Sequence, residues 1–227
     1  MLQIEIFSDV VCPWCYIGKR RFERARTARP HTGLAVTWRA FQLNPEMPAD
    51  GIDRQRYLEL KFGGGDQAGQ VYHRIAAAGA EEGIDFAFGR IRRTPNTVNA
   101  HRLVRWARQQ DRQDEVVESL FQAYFLEGLD IGDRDNLAEI AARAGLDRAD
   151  AGAFLDGVEG VREILDETRL AYNSGITGVP CFIVDRKYAI SGAQEPEAFF
   201  PLFDLDQTPA PVPVSYTHLR AHETTVY

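Results

Sequence analysis

The sequence predicts an α/β fold in which one small sheet, built from the two ends of the chain, is interrupted by a large helical insertion. Three observations carry that reading. The first residues alternate apolar and polar with the period of a strand. The middle repeats apolar residues with the period of buried helix faces, and after Gly175 the strand period returns. A chain of 227 residues fits one domain of ordinary size, or a core domain carrying an insertion. With 44% hydrophobic and 11% aromatic side chains there is material for a packed core, so disorder is not expected.

Leu2, Ile4 and Ile6 fall on one face and Gln3, Glu5 and Phe7 on the other, which predicts a first strand broken at Ser8-Asp9. Val10-Val11 lead into Cys12-Pro13-Trp14-Cys15, and from Pro13 the chain reads as helix through Ala25. Pro13 sits in the first turn, where its missing N–H costs nothing. Ala35 to Phe41 predicts a second strand, closed by Asn44-Pro45. Gly63-Gly64-Gly65 marks a break between two helical stretches. Ala100, Leu103, Val104 and Ala107 then keep the spacing of a buried helix face. Val117, Leu120, Phe121 and Tyr124 repeat it, as do Leu137, Ile140, Ala141 and Ala144. One more helix is expected over Val158 to Tyr172. Cys181 to Val184 and Tyr188 to Ser191, joined by Asp185-Arg186-Lys187, predict a hairpin, and Glu195 to Leu205 a closing helix. The expected organisation is a sheet domain from 1–44 and 176–206 and an inserted helical domain over 45–175. So long an excursion should carry its own core.

A Pro-rich linker is expected over 207–213. From Val214 the chain resembles one reading frame of a common transposase sequencing adapter, and 214–227 is read as non-native sequence. His218 and His222, though four apart, are therefore not read as metal ligands. The start of the chain has no basic segment, long apolar stretch or cleavage site, and no apolar run is long enough to span a bilayer. A cytoplasmic protein is expected, with no membrane partner. The 33 acidic against 26 basic side chains, a net charge of −7, argue against nucleic acid as a partner. Three cysteines are too few and too odd in number for a secreted disulfide framework.

The Cys12/Cys15 spacing is nearly one helical turn, so both thiols share a face within disulfide reach. The unpaired N–H groups of the first turn point toward Cys12 and favour its thiolate. The macrodipole contributes roughly 0.3–2 kcal/mol, and anything larger needs direct N–H···S bonds. Cys12 is thus expected to attack and Cys15 to resolve, through a mixed disulfide at Cys12. Zinc is the alternative use of such a pair, but it wants four ligands. The further candidates, Cys181, His31, His73 and His101, form no second close pair, and no metal or cofactor is expected.

Phe7-Ser8-Asp9-Val10-Val11-Cys12-Pro13-Trp14-Cys15-Tyr16, Arg93 to Leu103, Gly175-Ile176-Thr177-Gly178-Val179-Pro180 and Ile190 to Gln194, in this order, resemble the FrnE-like branch of the DsbA family over roughly residues 1–200. The resemblance implies a thioredoxin-like fold with an α-helical insertion and thiol–disulfide oxidoreductase, or disulfide isomerase, activity. Pro13 and Trp14 would shape the site. A cis Val179–Pro180 bond facing the thiols would leave the Val179 backbone free to pair with a client strand. Glu5 resembles the acid beneath the thiols in DsbA proteins, able to relay a proton to Cys15, although its spacing is one residue longer and a solvent-facing strand Glu is the ordinary alternative. Thr94 or Asn96 reads first as a helix N-cap, and Asn96 and His101 are candidates to line the cleft. Cys181 departs from the family pattern. It reads as a buried small hydrophobe, or as a third thiol able to trap Cys12. Expected partners are protein or small-molecule thiols and disulfides, with glutathione or thioredoxin for recycling. Two rivals share the ground: a glutathione-dependent transferase or isomerase of the kappa or hydroxychromene-carboxylate type, whose members place a serine at the Cys12 position, and a non-catalytic client-binding module.

Overall fold

The computed structural model describes residues 1–30, 33–63 and 65–204, with 65–67 as backbone only. The linker and tail expectations, His31 and Leu205 lie outside the described residues. Strand β1 (Leu2–Ser8) leads to helix α1 (Pro13–Ala28) and strand β2 (Leu34–Ala40). The next segment holds a two-residue strand β3 (Ile52–Asp53) and helices α2 (Arg54–Phe62) and α3 (Gly65–Glu81). Strand β4 (Arg93–Thr94) pairs antiparallel with β3, a small ribbon that no alternation in the sequence announced. Then come α4 (Val98–Ala107), α5 (Gln113–Gln122), α6 (Arg134–Arg143), α7 (Arg148–Asp156) and α8 (Val161–Asn173). Strands β5 (Cys181–Val184) and β6 (Tyr188–Ser191) form the expected hairpin.

The closing helix is shorter than expected. A single 3-10 turn at Pro196–Ala198 precedes α9 (Phe200–Phe203), because prolines at 196 and 201 each suit only the first turn of a helix. Thr94 is not a helix cap but a strand residue, and α4 begins one residue after Thr97. The Val158 to Tyr172 helix starts later, at Val161, after a left-handed Gly160.

The sheet runs β2-β1-β5-β6, with β1 and β2 parallel and the other pairs antiparallel. Alternation along β1 buries Leu2, Ile4, Ile6 and Ser8 on the side of α1. There Phe22 of α1 packs on Phe182, Phe199 and Phe203. The opposite face, carrying Glu5, Phe7 and Arg39, meets α8, whose Glu167 accepts from Arg39 at 2.8 Å and from the Ala40 N–H at 3.1 Å. On its other flank α1 meets the helical segment, where Tyr16 stacks on Phe121 with ring centroids 4.9 Å apart. One cluster of buried apolar residues runs through both parts of the chain. With α1 covered on two sides, its buried charges need partners. Lys19 reaches Glu23, Asp114 and Glu118, and Arg21 reaches Glu82, Glu195 and the Ala193 carbonyl.

Candidate active site

The chain leaves β1 at Ser8 and turns through Asp9-Val10-Val11 into α1. The Cys12 N–H donates to the Asp9 carbonyl at 2.9 Å, and the Cys15 N–H donates to the Cys12 carbonyl at 3.0 Å. Cys12 is the N-cap, in extended backbone (φ −93°, ψ 112°), Pro13 follows in the first turn, and no side chain caps the helix or puts an acid in that turn. No acid or capping side chain competes for the Cys12 end of the helix. Trp14 stands beside it, 39% exposed, the ring in contact with solvent at the rim of the site.

Across from α1, the Val179–Pro180 bond is cis, and Cys12 Sγ donates to the Val179 carbonyl at 3.6 Å. The Gly192 N–H holds the Pro180 carbonyl at 2.8 Å. Gly18 makes this close approach possible, since a Cβ there would stand 2.7 Å from Pro180 Cγ. Cys12, Cys15 and Cys181 are all buried free thiols. Burial, then a hydrogen bond to Cys12 and its charge, push the Cys15 thiol well above the usual range.

The structure brings together Cys12, Pro13, Trp14, Cys15, Val179 and Pro180, and places the other candidates elsewhere or in different roles. Glu5 lies on the α8 face of β1, opposite Ser8, where Arg39 takes up its carboxylate at 2.5 Å and Arg186 stands at 3.7 Å. It is an ion-pairing residue of the sheet and does not sit beneath Cys15. Asn96 donates to the Met47 carbonyl at 2.8 Å and accepts from the Val98 N–H at 2.9 Å, so it pins the start of α4 to the preceding loop. Cys181 pairs with Phe7 and so shares its α8-side face, away from Phe182 and α1; burial pushes its thiol up.

His101 does reach the site, through a residue the sequence reading passed over. Asp9 is buried, its carboxylate accepts the Leu43 N–H at 2.8 Å, and it lies 3.5 Å from His101 Nε2. Ser8, Gly18 and Arg102 were missed as well. An acid between apolar residues just before a Cys pair, and a glycine inside a helix, were the available signals. Among the described residues no group of three or more His, Cys, Asp or Glu is placed to hold a metal ion, and His73 is exposed on α3. No described helix is long and apolar enough to cross a membrane.

A family model for the DSBA-like thioredoxin domain matches residues 3–201. A probable DsbA oxidoreductase from Streptomyces coelicolor is similar in structure, with 32% identity, 93% of this chain and 94% of that one covered, and a TM-score of 0.82. The uncharacterized protein YwbO of Bacillus subtilis is 29% identical over 189 residues, covering 81% of this chain and 86% of its own. The cytosolic disulfide reductase DsbM of Pseudomonas aeruginosa shares the fold at 20% identity, with a TM-score of 0.66 over 90% of this chain and 98% of that one.

Proposed function

Since the chain belongs to the DSBA-like thioredoxin domain family, we propose that it is a thiol–disulfide oxidoreductase working through Cys12 and Cys15. The observation that carries this is the placing of Cys12 Sγ at the open N-terminus of α1, against the carbonyl that precedes the cis-proline, with the buried Cys15 thiol one turn behind it. A client disulfide laid along Val179 could pair with that backbone while Cys12 attacks one of its sulfurs. One client sulfur would leave as a thiol and the other stay bonded to Cys12 as a mixed disulfide, which Cys15 resolves by forming the Cys12–Cys15 bond and releasing the second client thiol.

The clients in this reading are protein or small-molecule disulfides, and glutathione or thioredoxin returns the pair to the dithiol. The FrnE-like branch and a cytosolic location belong to the same reading, supported by the motif order and by the small number of cysteines. The intact pair weighs against a glutathione-dependent isomerase.

Insulin reduction and disulfide scrambling, measured on wild type and Cys12→Ala, test the assignment. Loss of all turnover above background is expected. Wild-type turnover in Cys12→Ala would sink it, and glutathione conjugation persisting in Cys12→Ser would favour the isomerase class.

A further inference from the structure

Ser8 continues the stripe of Leu2, Ile4 and Ile6 that turns under α1. Ile6 sits opposite Phe182, whose ring packs on Phe22 of that helix. Packing alone would be served by a methyl group. A hydroxyl stands there instead, 4% exposed, and Ser8 Oγ makes no hydrogen bond of normal geometry. Buried hydroxyls are nearly always paired, so an unpaired one asks for a reason.

Ser8 ends β1 and leads into the turn that opens α1. The run from Ser8 to Cys15 is closed on itself by the Cys12-to-Asp9 and Cys15-to-Cys12 backbone bonds, and Cys15 is 1% exposed. Burial and the neighbouring Cys12 push the Cys15 thiol up, while the Ser8 hydroxyl and the Asp9 backbone amide pull in the other direction. Cys12 on α1 is the titratable neighbour of this sulfur, and the Asp9 carboxylate is turned toward the Leu43 N–H and His101 of α4.

We propose that the Ser8 hydroxyl, with the Asp9 amide, is the donor pair that receives the negative charge of Cys15 when the mixed disulfide is resolved. This rests on the thiol–disulfide reading above. In that step Cys15 gives up its proton and its sulfur attacks Cys12 Sγ. The Cys12–client S–S bond breaks as the Cys12–Cys15 bond forms. The electron pair leaves on the client sulfur, which takes up one proton, so one thiol is consumed and one released with no outside oxidant. A neutral thiol is a weak acceptor and leaves the hydroxyl little used, whereas the thiolate makes a charge-assisted bond with a donor already in place.

A chromogenic aromatic disulfide separates the two steps, because the first equivalent of coloured thiol reports attack by Cys12 and the second reports resolution by Cys15. The full chain is used in a Cys181→Ala background, so that two thiols remain. Ser8→Ala should slow the second phase about tenfold or more, the size of one charge-assisted hydrogen bond, and leave the first within about twofold. Its thermal midpoint should be unchanged or higher, since an unpaired buried hydroxyl is removed. Ser8→Thr, which keeps the hydroxyl, should recover most of the second phase. An unchanged second phase, equal slowing of both phases, or a threonine variant as slow as alanine would overturn the proposal. Absence of both phases in the Cys181→Ala parent would instead bring down the oxidoreductase reading, and this one with it.

Discussion

Two buried polar centres flank α4, and they are built on opposite principles. Arg102 is 1% exposed, and all five of its N–H groups are spent. Nε donates to the Glu159 carbonyl, Nη1 to Asn99 Oδ1 and the Leu155 carbonyl, and Nη2 to the Phe154 and Gly157 carbonyls, all within 2.7–3.2 Å. These carbonyls cluster at the C-terminal end of α7, where a cation is favoured. One residue earlier on α4, His101 faces Asp9 at 3.5 Å, and its Nε2, like Ser8 Oγ and the Gln42 amide, makes no hydrogen bond of normal geometry. A centre that only holds the fold saturates its donors. The centre behind the thiols keeps some in reserve, as a site must if charge is to appear there during a reaction.

The contrast breaks first at Arg102. Arg102→Leu strips donors from four carbonyls and should cost about 3 kcal/mol or more, read as a lower urea midpoint, while Cys12 keeps its reactivity in the folded protein. A loss under about 1 kcal/mol would show that saturation there is incidental.

Gly18→Ala probes the other centre and should act the other way round. Alanine favours the helix by about 1 kcal/mol, offsetting much of the cost of a Cβ pressed 2.7 Å from Pro180 Cγ. Stability should hold within about 1 kcal/mol, while displacement of Pro180 from α1 lowers insulin reduction about tenfold. Turnover that falls only in step with stability would contradict this.

The smallest effect tests an intermediate case, the ion cluster between α1 and α5. Burial pushes Glu118 up, but Lys19 and Arg20 outweigh it and hold the carboxyl below its usual range. A depressed folded-state value means stability that is present above the ordinary carboxylate value of 4.5 and lost as pH falls through the lower, folded one. Glu118→Gln should therefore lose under about 1 kcal/mol at neutral pH and flatten the acid limb of the stability curve below pH 4.5. An acid limb identical to wild type would remove Glu118 from that account.

The parts of the fold that the sequence made legible were those written as a period. Alternation at Leu2 to Phe7 and the two runs joined by Asp185-Arg186-Lys187 gave strands close to those observed, and the 3.6 period gave α4, α5 and α6. The β3–β4 ribbon, two residues on each side, is too short to carry a period, and α7 buries only Ala151 and Leu155. At the site, the Cys pair was legible because its chemistry is local. Ser8, Asp9 and Arg102 act through groups brought near by folding, such as the Leu43 amide and the end of α7, and no spacing in one sequence encodes those encounters. Glu5, left open between a proton relay and a solvent-facing strand residue, was undecidable for the same reason: its carboxylate is taken up by Arg39, 34 positions away.

The thiol-bearing helix is wedged between a sheet and a helical block, tied to one through Phe22 and to the other through Tyr16 and Lys19. Such a post has no room to swing. In the proposed reaction, the joining or parting of its two sulfurs would have to be absorbed within the single turn between Cys12 and Tyr16, and a client disulfide would do the bending. Selectivity in this design would be exercised through the guest's flexibility, with the host contributing a stationary edge.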